Sequence, residues 1–241
     1  MRLPHLGRLA CAAVTFTLVV LCGGGTLADA SIVPSAPVHA APAPVHAAFL
    51  GDSYTYGVGA TVRTDGYAYL VARAEHWNAD IVGLPGSGYV RVAIKDRKRI
   101  AAGIAPVIAA RPQVVIVECG RNDVDGYIDL HRVEPNALRD LRALRAGLPH
   151  ATIVVLGPLW LSGFPSRRVF AVRNAVHAAQ RKIADSRWID PVAQHWFTGH
   201  LGARTGDDAT MINYAVGHPN NAGYRHIARR LERDLRTLGV R

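Results

Sequence analysis

From Val45 onward, short apolar runs alternate with longer stretches in which apolar positions recur at helical spacing. The short runs cover residues 45–50, 80–82, 113–118, 152–156 and 187–189, and Gly, Pro, Asp or Ser follows each of them. Runs of that length, rich in β-branched residues and closed by turn formers, predict strands. The amphipathic stretches at 67–78, 90–109, 135–148, 167–185 and 222–238 predict helices between and after them. Strand and helix in alternation predict an α/β domain, a three-layer α/β/α sandwich around a five-stranded parallel sheet. In such sheets ligands bind beyond the carboxyl ends of the strands, so the residues just after each strand are where chemistry is expected.

The pattern differs before Val45. Arg2 and Arg8 precede an apolar run over 9–22, followed by small residues and Ala28-Asp29-Ala30. That order reads as a secretory signal peptide over 1–30. The run is shorter than the roughly 20 residues that cross a bilayer, and Leu21 before Cys22 does not suit a lipid-anchor site. Residues 31–45, almost all Ala, Pro, Val and His, read as an extended linker. Residues 46–241 are left as one domain, exported and either secreted or held at the cell envelope.

Loss of the leader removes Cys11 and Cys22, so Cys119 alone remains, with no internal disulfide to form. At the end of an apolar strand it reads as a buried, inert thiol. The formal charge of +10 falls to +9 without Arg2, Arg8 and Asp29. For an exported protein the matching partners are anionic wall polymers or lipid headgroups. Nucleic acid is not expected, because the basic residues are scattered over helix faces rather than gathered in a stripe. A monomer is expected.

Four post-strand or pre-helix segments carry polar chemistry. Gly51-Asp52-Ser53-Tyr54 places a serine hydroxyl and its backbone N–H at a helix start, where a developing anion is stabilised or a plain N-cap is made. Gly83-Leu84-Pro85-Gly86-Ser87-Gly88 allows close backbone approach, or is simply a turn. Gly120-Arg121-Asn122-Asp123 offers an amide donor at the strand ends. His218-Pro219-Asn220 puts an imidazole just before the last helix.

Taken together and in this order, these segments resemble the SGNH (GDSL-like) hydrolase superfamily, which joins a serine in a GDS motif, a glycine, an asparagine in GxND and a C-terminal histidine. The resemblance spans residue 46 to about residue 238. It implies a flavodoxin-like sheet and a serine esterase or lipase in which Ser53 attacks the carbonyl and His218 is the general base. It also implies an oxyanion hole built from Ser53 N–H, Gly86 N–H and Asn122, with Gly88 as the alternative glycine. No cofactor and no metal are implied.

One position departs from the family: the acid three residues before the histidine is replaced by Ala215. A backbone carbonyl between residues 214 and 217 is the favoured substitute for holding the imidazole. Asp207 or Asp208 folding back is the alternative, while Asp190, Asp52 and Asp123 read as structural. Zinc-protease HExxH, dinucleotide GxGxxG and α/β-hydrolase GxSxG patterns are absent from the sequence. Substrates compatible with the resemblance are a small-molecule ester, a lipid ester or an O-acylated glycan. Trp160, Leu161, Phe164, Trp196 and Phe197 follow the last two strands and read either as walls of an acyl pocket or as core. Two further readings use the same fold: a non-catalytic module that binds wall glycan or lipid, and an acyltransferase to a sugar hydroxyl.

Overall fold

A computed structural model describes residues 43–200, 204–206 and 208–240. The expected leader at 1–30 and the linker up to residue 42 lie outside the described residues, as does Asp207. Five parallel strands, β1 (His46–Gly51), β2 (Asn78–Gly83), β3 (Val114–Glu118), β4 (Thr152–Leu156) and β5 (Ser186–Ile189), stand in the order β2-β1-β3-β4-β5. All five expected strands are present, and the order is that of the flavodoxin-like sheet. The chain turns one way from β1 to β2 and the other way to β3. The loops after β1 and β3 therefore diverge and open a crevice at their carboxyl ends.

Side chains alternate between two cores. Ala47 and Phe49 of β1, Val114 and Ile116 of β3, and Val154 and Leu156 of β4 pack on one face. Ala48, Leu50, Val115, Val117, Ile153 and Val155 pack on the other. Strands buried on both sides read as continuous apolar runs, which is how these appear in the sequence. The first face is covered by α2 (Tyr67–Ala74) and α7 (Asn221–Thr237), the second by α3 (Ile104–Ala110), α4 (Val133–Gly147) and α5 (Arg167–Gln180). Helix α7 buries Tyr224, Ile227, Ala228, Leu231 and Leu235, a stripe at helical spacing, and Asn220 caps it by accepting from Ala222 N and Gly223 N.

The helix expected over 90–109 is corrected. Only Ile100–Gly103, a 3₁₀ turn, and α3 are helical there; residues 90–99 form a loop. The cause is tertiary. The Asp123 carboxylate accepts from the backbone N–H groups of Tyr89, Val90 and Arg91 at 2.7, 3.0 and 2.8 Å. The loop so anchored closes on itself, Gly88 N–H donating to the Arg91 carbonyl and Ala93 N–H to the Lys98 carbonyl, so these carbonyls do not face helical donors four residues on, and Arg97 adopts a left-handed φ of 50°. The helix expected over 67–78 stops at Ala74, because His76 turns left-handed and Asn78 joins the sheet beside Val45.

Candidate active site

Ser53 is the first residue of α1 (Ser53–Tyr56), a single turn directly after β1. Asp52 caps it by accepting from Tyr54 N at 2.9 Å, and Gly57 ends it in the left-handed region. The turn is tight because Gly51 has no side chain: a Cβ there would lie 1.9 Å from Thr55 Oγ1 and 2.7 Å from the Glu118 carbonyl oxygen. Ser53 N–H, the first of the helix, has no acceptor within that helix, as expected of an N-terminal donor.

His218 arrives from the far end of the chain on a short antiparallel ladder of β6 (Ile212–Asn213) and β7 (His218–Pro219), preceded by the single-turn α6 (Asp208–Met211). Asn213 ties this hairpin together. Its carbonyl accepts from Val216 N and Gly217 N, and its amide donates to the Gly59 carbonyl at 3.2 Å. The hairpin thereby reaches the loop after α1. His218 Nε2 then lies 2.8 Å from Ser53 Oγ.

The other ring nitrogen decides what that contact is. His218 Nδ1 lies 2.6 Å from the Val216 carbonyl oxygen. A carbonyl only accepts, so Nδ1 carries the proton and the neutral ring presents a lone pair at Nε2 to the serine hydroxyl. The tautomer is set without a carboxylate. Burial pulls the His218 pKa below its ordinary 6.5 and Arg121 nearby pulls in the same direction, against the Val216 carbonyl. The imidazole is therefore neutral at pH 7.

Asn122 follows β3 in a 3₁₀ turn (Arg121–Val124), and its amide nitrogen donates to Ser87 O at 2.8 Å and Asp52 Oδ2 at 3.1 Å. These bonds draw the loops after β1, β2 and β3 to one place, so Ser53, Gly86, Asn122 and His218 share one end of the sheet. Both amide hydrogens are engaged, the bond to Asp52 being the longer. Of the two glycines, Gly88 gives its N–H to the Arg91 carbonyl at 2.9 Å, and a Cβ there would strike the Asp123 carboxylate at 2.4 Å. Gly86, at φ 77°, has no acceptor for its N–H among the described residues.

Close to Ser53 lie two buried acids, Asp52, read from the sequence as structural, and Glu118, which sequence reasoning passed over. Glu118, the last residue of β3, is fully buried; Oε2 accepts from Thr55 Oγ1 at 3.1 Å, and Thr55 Oγ1 lies 2.7 Å from the Tyr67 hydroxyl. Burial beside the equally buried Asp52 raises Glu118 well above its ordinary 4.5, and burial first of all lifts Asp52 to about 6. An acid closing an apolar strand was the available signal. Asp123 is the loop clamp already described, and Asp190 accepts from Ala193 N at 3.0 Å while pairing with Arg173. Cys119 is a free, buried thiol whose pKa burial raises.

The five apolar residues after β4 and β5 divide. Leu161, Trp196 and Phe197 are core, and Phe164 is exposed against His200. Trp160 and Leu161 line a shallow slot with Tyr54, Arg121 and Gly217. A cavity of about 390 Å³ lies at the opposite end of the sheet against Ile108, Gln113 and Leu148, away from Ser53.

The model of the GDSL-like lipase/acylhydrolase family matches residues 49–226, and the chain belongs to that family of ester-bond hydrolases. A GDSL lipase of Mycobacterium tuberculosis is 26% identical over 191 residues, covering 75% of this chain and 77% of that protein. A family two carbohydrate esterase from Clostridium thermocellum, solved with cellohexaose, superposes with a TM-score of 0.62 at 20% identity, over 84% of this chain and 68% of that one. A salicylyl-acyltransferase from a tetracycline biosynthetic pathway gives 0.57 at 19% identity, over 82% of this chain and 56% of that one. The two structural likenesses speak for the fold.

Proposed function

We propose that this protein is an exported serine esterase that hydrolyses carboxylic esters in two steps through Ser53 and His218. Ser53 Oγ adds to the ester carbonyl as its proton passes to His218 Nε2. The tetrahedral intermediate collapses, the C–O bond to the alcohol breaks, and His218 returns the proton to the leaving oxygen. Water then adds to the acyl-enzyme by the same route, giving the carboxylic acid and free serine. Ser53 N–H, Gly86 N–H and the Asn122 amide are the donors assigned to the oxyanion.

The observation that carries this reading is the 2.8 Å contact from Ser53 Oγ to His218 Nε2, on an imidazole whose other nitrogen is occupied by Val216 O. Export rests on the sequence of residues 1–30. An O-acylated glycan, a lipid ester and a small-molecule ester all suit the chemistry, and the likeness to a carbohydrate esterase favours the glycan.

The test is release of p-nitrophenol from acetate, butyrate and octanoate esters by protein starting near Ser31, beside Ser53→Ala and His218→Ala. Loss of roughly a thousandfold or more in kcat for each variant is expected. Undiminished turnover in either variant sinks the mechanism, and a folded wild type with no activity on any ester favours the non-catalytic binding module. Transfer to a sugar hydroxyl is the second reading, favoured by the likeness to an acyltransferase. A sugar acceptor that captures the acyl group in competition with water would establish it.

A further inference from the structure

Arg121 stands between Gly120 and Asn122, directly after β3. Its guanidinium lies 4.6 Å over the Trp160 ring, and both line the slot with Tyr54, Leu161 and Gly217. Two of those neighbours locate the slot: Tyr54 follows Ser53 in the chain, and Gly217 precedes His218. The Tyr54 ring also meets the His218 ring edge-on, with centroids 5.2 Å apart. The slot therefore abuts the serine–imidazole pair.

No ion pair among the described residues includes Arg121. Its charge is felt by the site all the same, since it depresses His218 and opposes the rise of Asp52. A guanidinium stacked on an aromatic face directs its N–H edge sideways, here toward the Tyr54 hydroxyl as well as the slot, and that edge matches a carboxylate. The Trp160 indole N–H beside it is buried without a partner. Around the same end of the sheet, Arg63 lies 4.2 Å over Tyr56, Arg91 5.2 Å over Tyr127 and Arg204 4.4 Å over Tyr214. Each arginine is on a segment that follows the carboxyl end of a strand, so the approach to Ser53 is positive and aromatic. Among the described residues, Arg91 alone of these forms an ion pair, with Asp125.

We propose that Arg121, held on Trp160, is an anion-recognition residue of the ester site, and that the ester this protein cleaves carries a carboxylate next to the scissile bond. The inference rests on the esterase reading and narrows its substrate class to acidic esters. A carboxylate on the alcohol side and one on the acyl side present the same chemistry to Arg121.

Two matched pairs of esters separate those sources: 4-acetoxybenzoate against methyl 4-acetoxybenzoate for the alcohol side, and mono-4-nitrophenyl adipate against 4-nitrophenyl hexanoate for the acyl side. The quantity read is the ratio of kcat/KM, charged over neutral, within each protein, so that a general loss of activity cancels. In one pair the wild type is expected to favour the charged member, and Arg121→Gln to lower the ratio roughly tenfold or more. Arg121→Lys, which keeps the charge but not the planar stack, should fall between and serves if the glutamine variant does not fold. No preference in the wild type for either pair, or a ratio that Arg121→Gln leaves alone while both rates fall, overturns the proposal and makes Arg121 a counter-charge for Asp52. Were no ester turned over at all, the esterase reading would fail separately. Calorimetric titration with 4-hydroxybenzoate and adipate would then decide the anion site: heat lost in Arg121→Gln upholds it, and no heat in the wild type overturns it.

Discussion

At Val216 a peptide oxygen holds the imidazole where Ala215 has no side chain to do so. The carbonyl orients His218 as a carboxylate would, but brings no full negative charge to stabilise the imidazolium. The consequence is legible in pH. His218 must be neutral to accept the serine proton, and burial holds its pKa below 6.5. Activity is thus expected to rise with pH through an acid limb below the ordinary histidine value and to be level above it. A profile of kcat/KM on a neutral p-nitrophenyl ester measures the limb. A midpoint above about 7 would mean that an anion stabilises the imidazolium, and the carbonyl account would be wrong.

Among the elements, the loop over residues 89–99 shows how a single side chain overrides a local pattern. Three backbone N–H groups converge on Asp123, and Gly88 is needed for the carboxylate to come close. Removing it in Asp123→Ala leaves those donors poorly satisfied, and chemical denaturation should report a loss of about 3 kcal/mol. Because Asp123 follows Asn122, esterase activity is expected to fall as well. A variant with wild-type stability would show that the loop is held by other contacts.

Across the whole molecule, the acids close to Ser53 tie stability to pH. Burial beside Asp52 raises the Glu118 pKa well above 4.5 in the fold, and unfolding returns it to the ordinary value. Above that value the unfolded chain binds fewer protons than the native one, so stability falls as pH rises. The slope this one group contributes is up to about 1.4 kcal/mol per pH unit. Glu118→Gln, a neutral group of the same shape, should flatten the dependence measured by denaturation between about pH 5 and about pH 7. An unchanged slope would show Glu118 ionised in the native protein.

Sequence alone determined the strand count and the three layers, because strands buried on both faces and helices buried on one leave different apolar periods. The resemblance of four motifs in order singled out Ser53, Gly86, Asn122 and His218, where residue type and place alone left an N-cap or a turn as equal readings. Tertiary structure decided what depends on groups far apart in the chain. The partner of His218 Nδ1 is a main-chain oxygen, which no residue type advertises. Over 90–99 the helix expected for 90–109 is replaced by a loop anchored on a carboxylate some thirty residues downstream. Gly88 gives its N–H to Arg91 within the same loop, while Gly86 has no acceptor among the described residues. Charge at Arg121 and the acidity of Glu118 became meaningful only once packing had set their neighbours, since burial and proximity, not identity, govern what a charged group does.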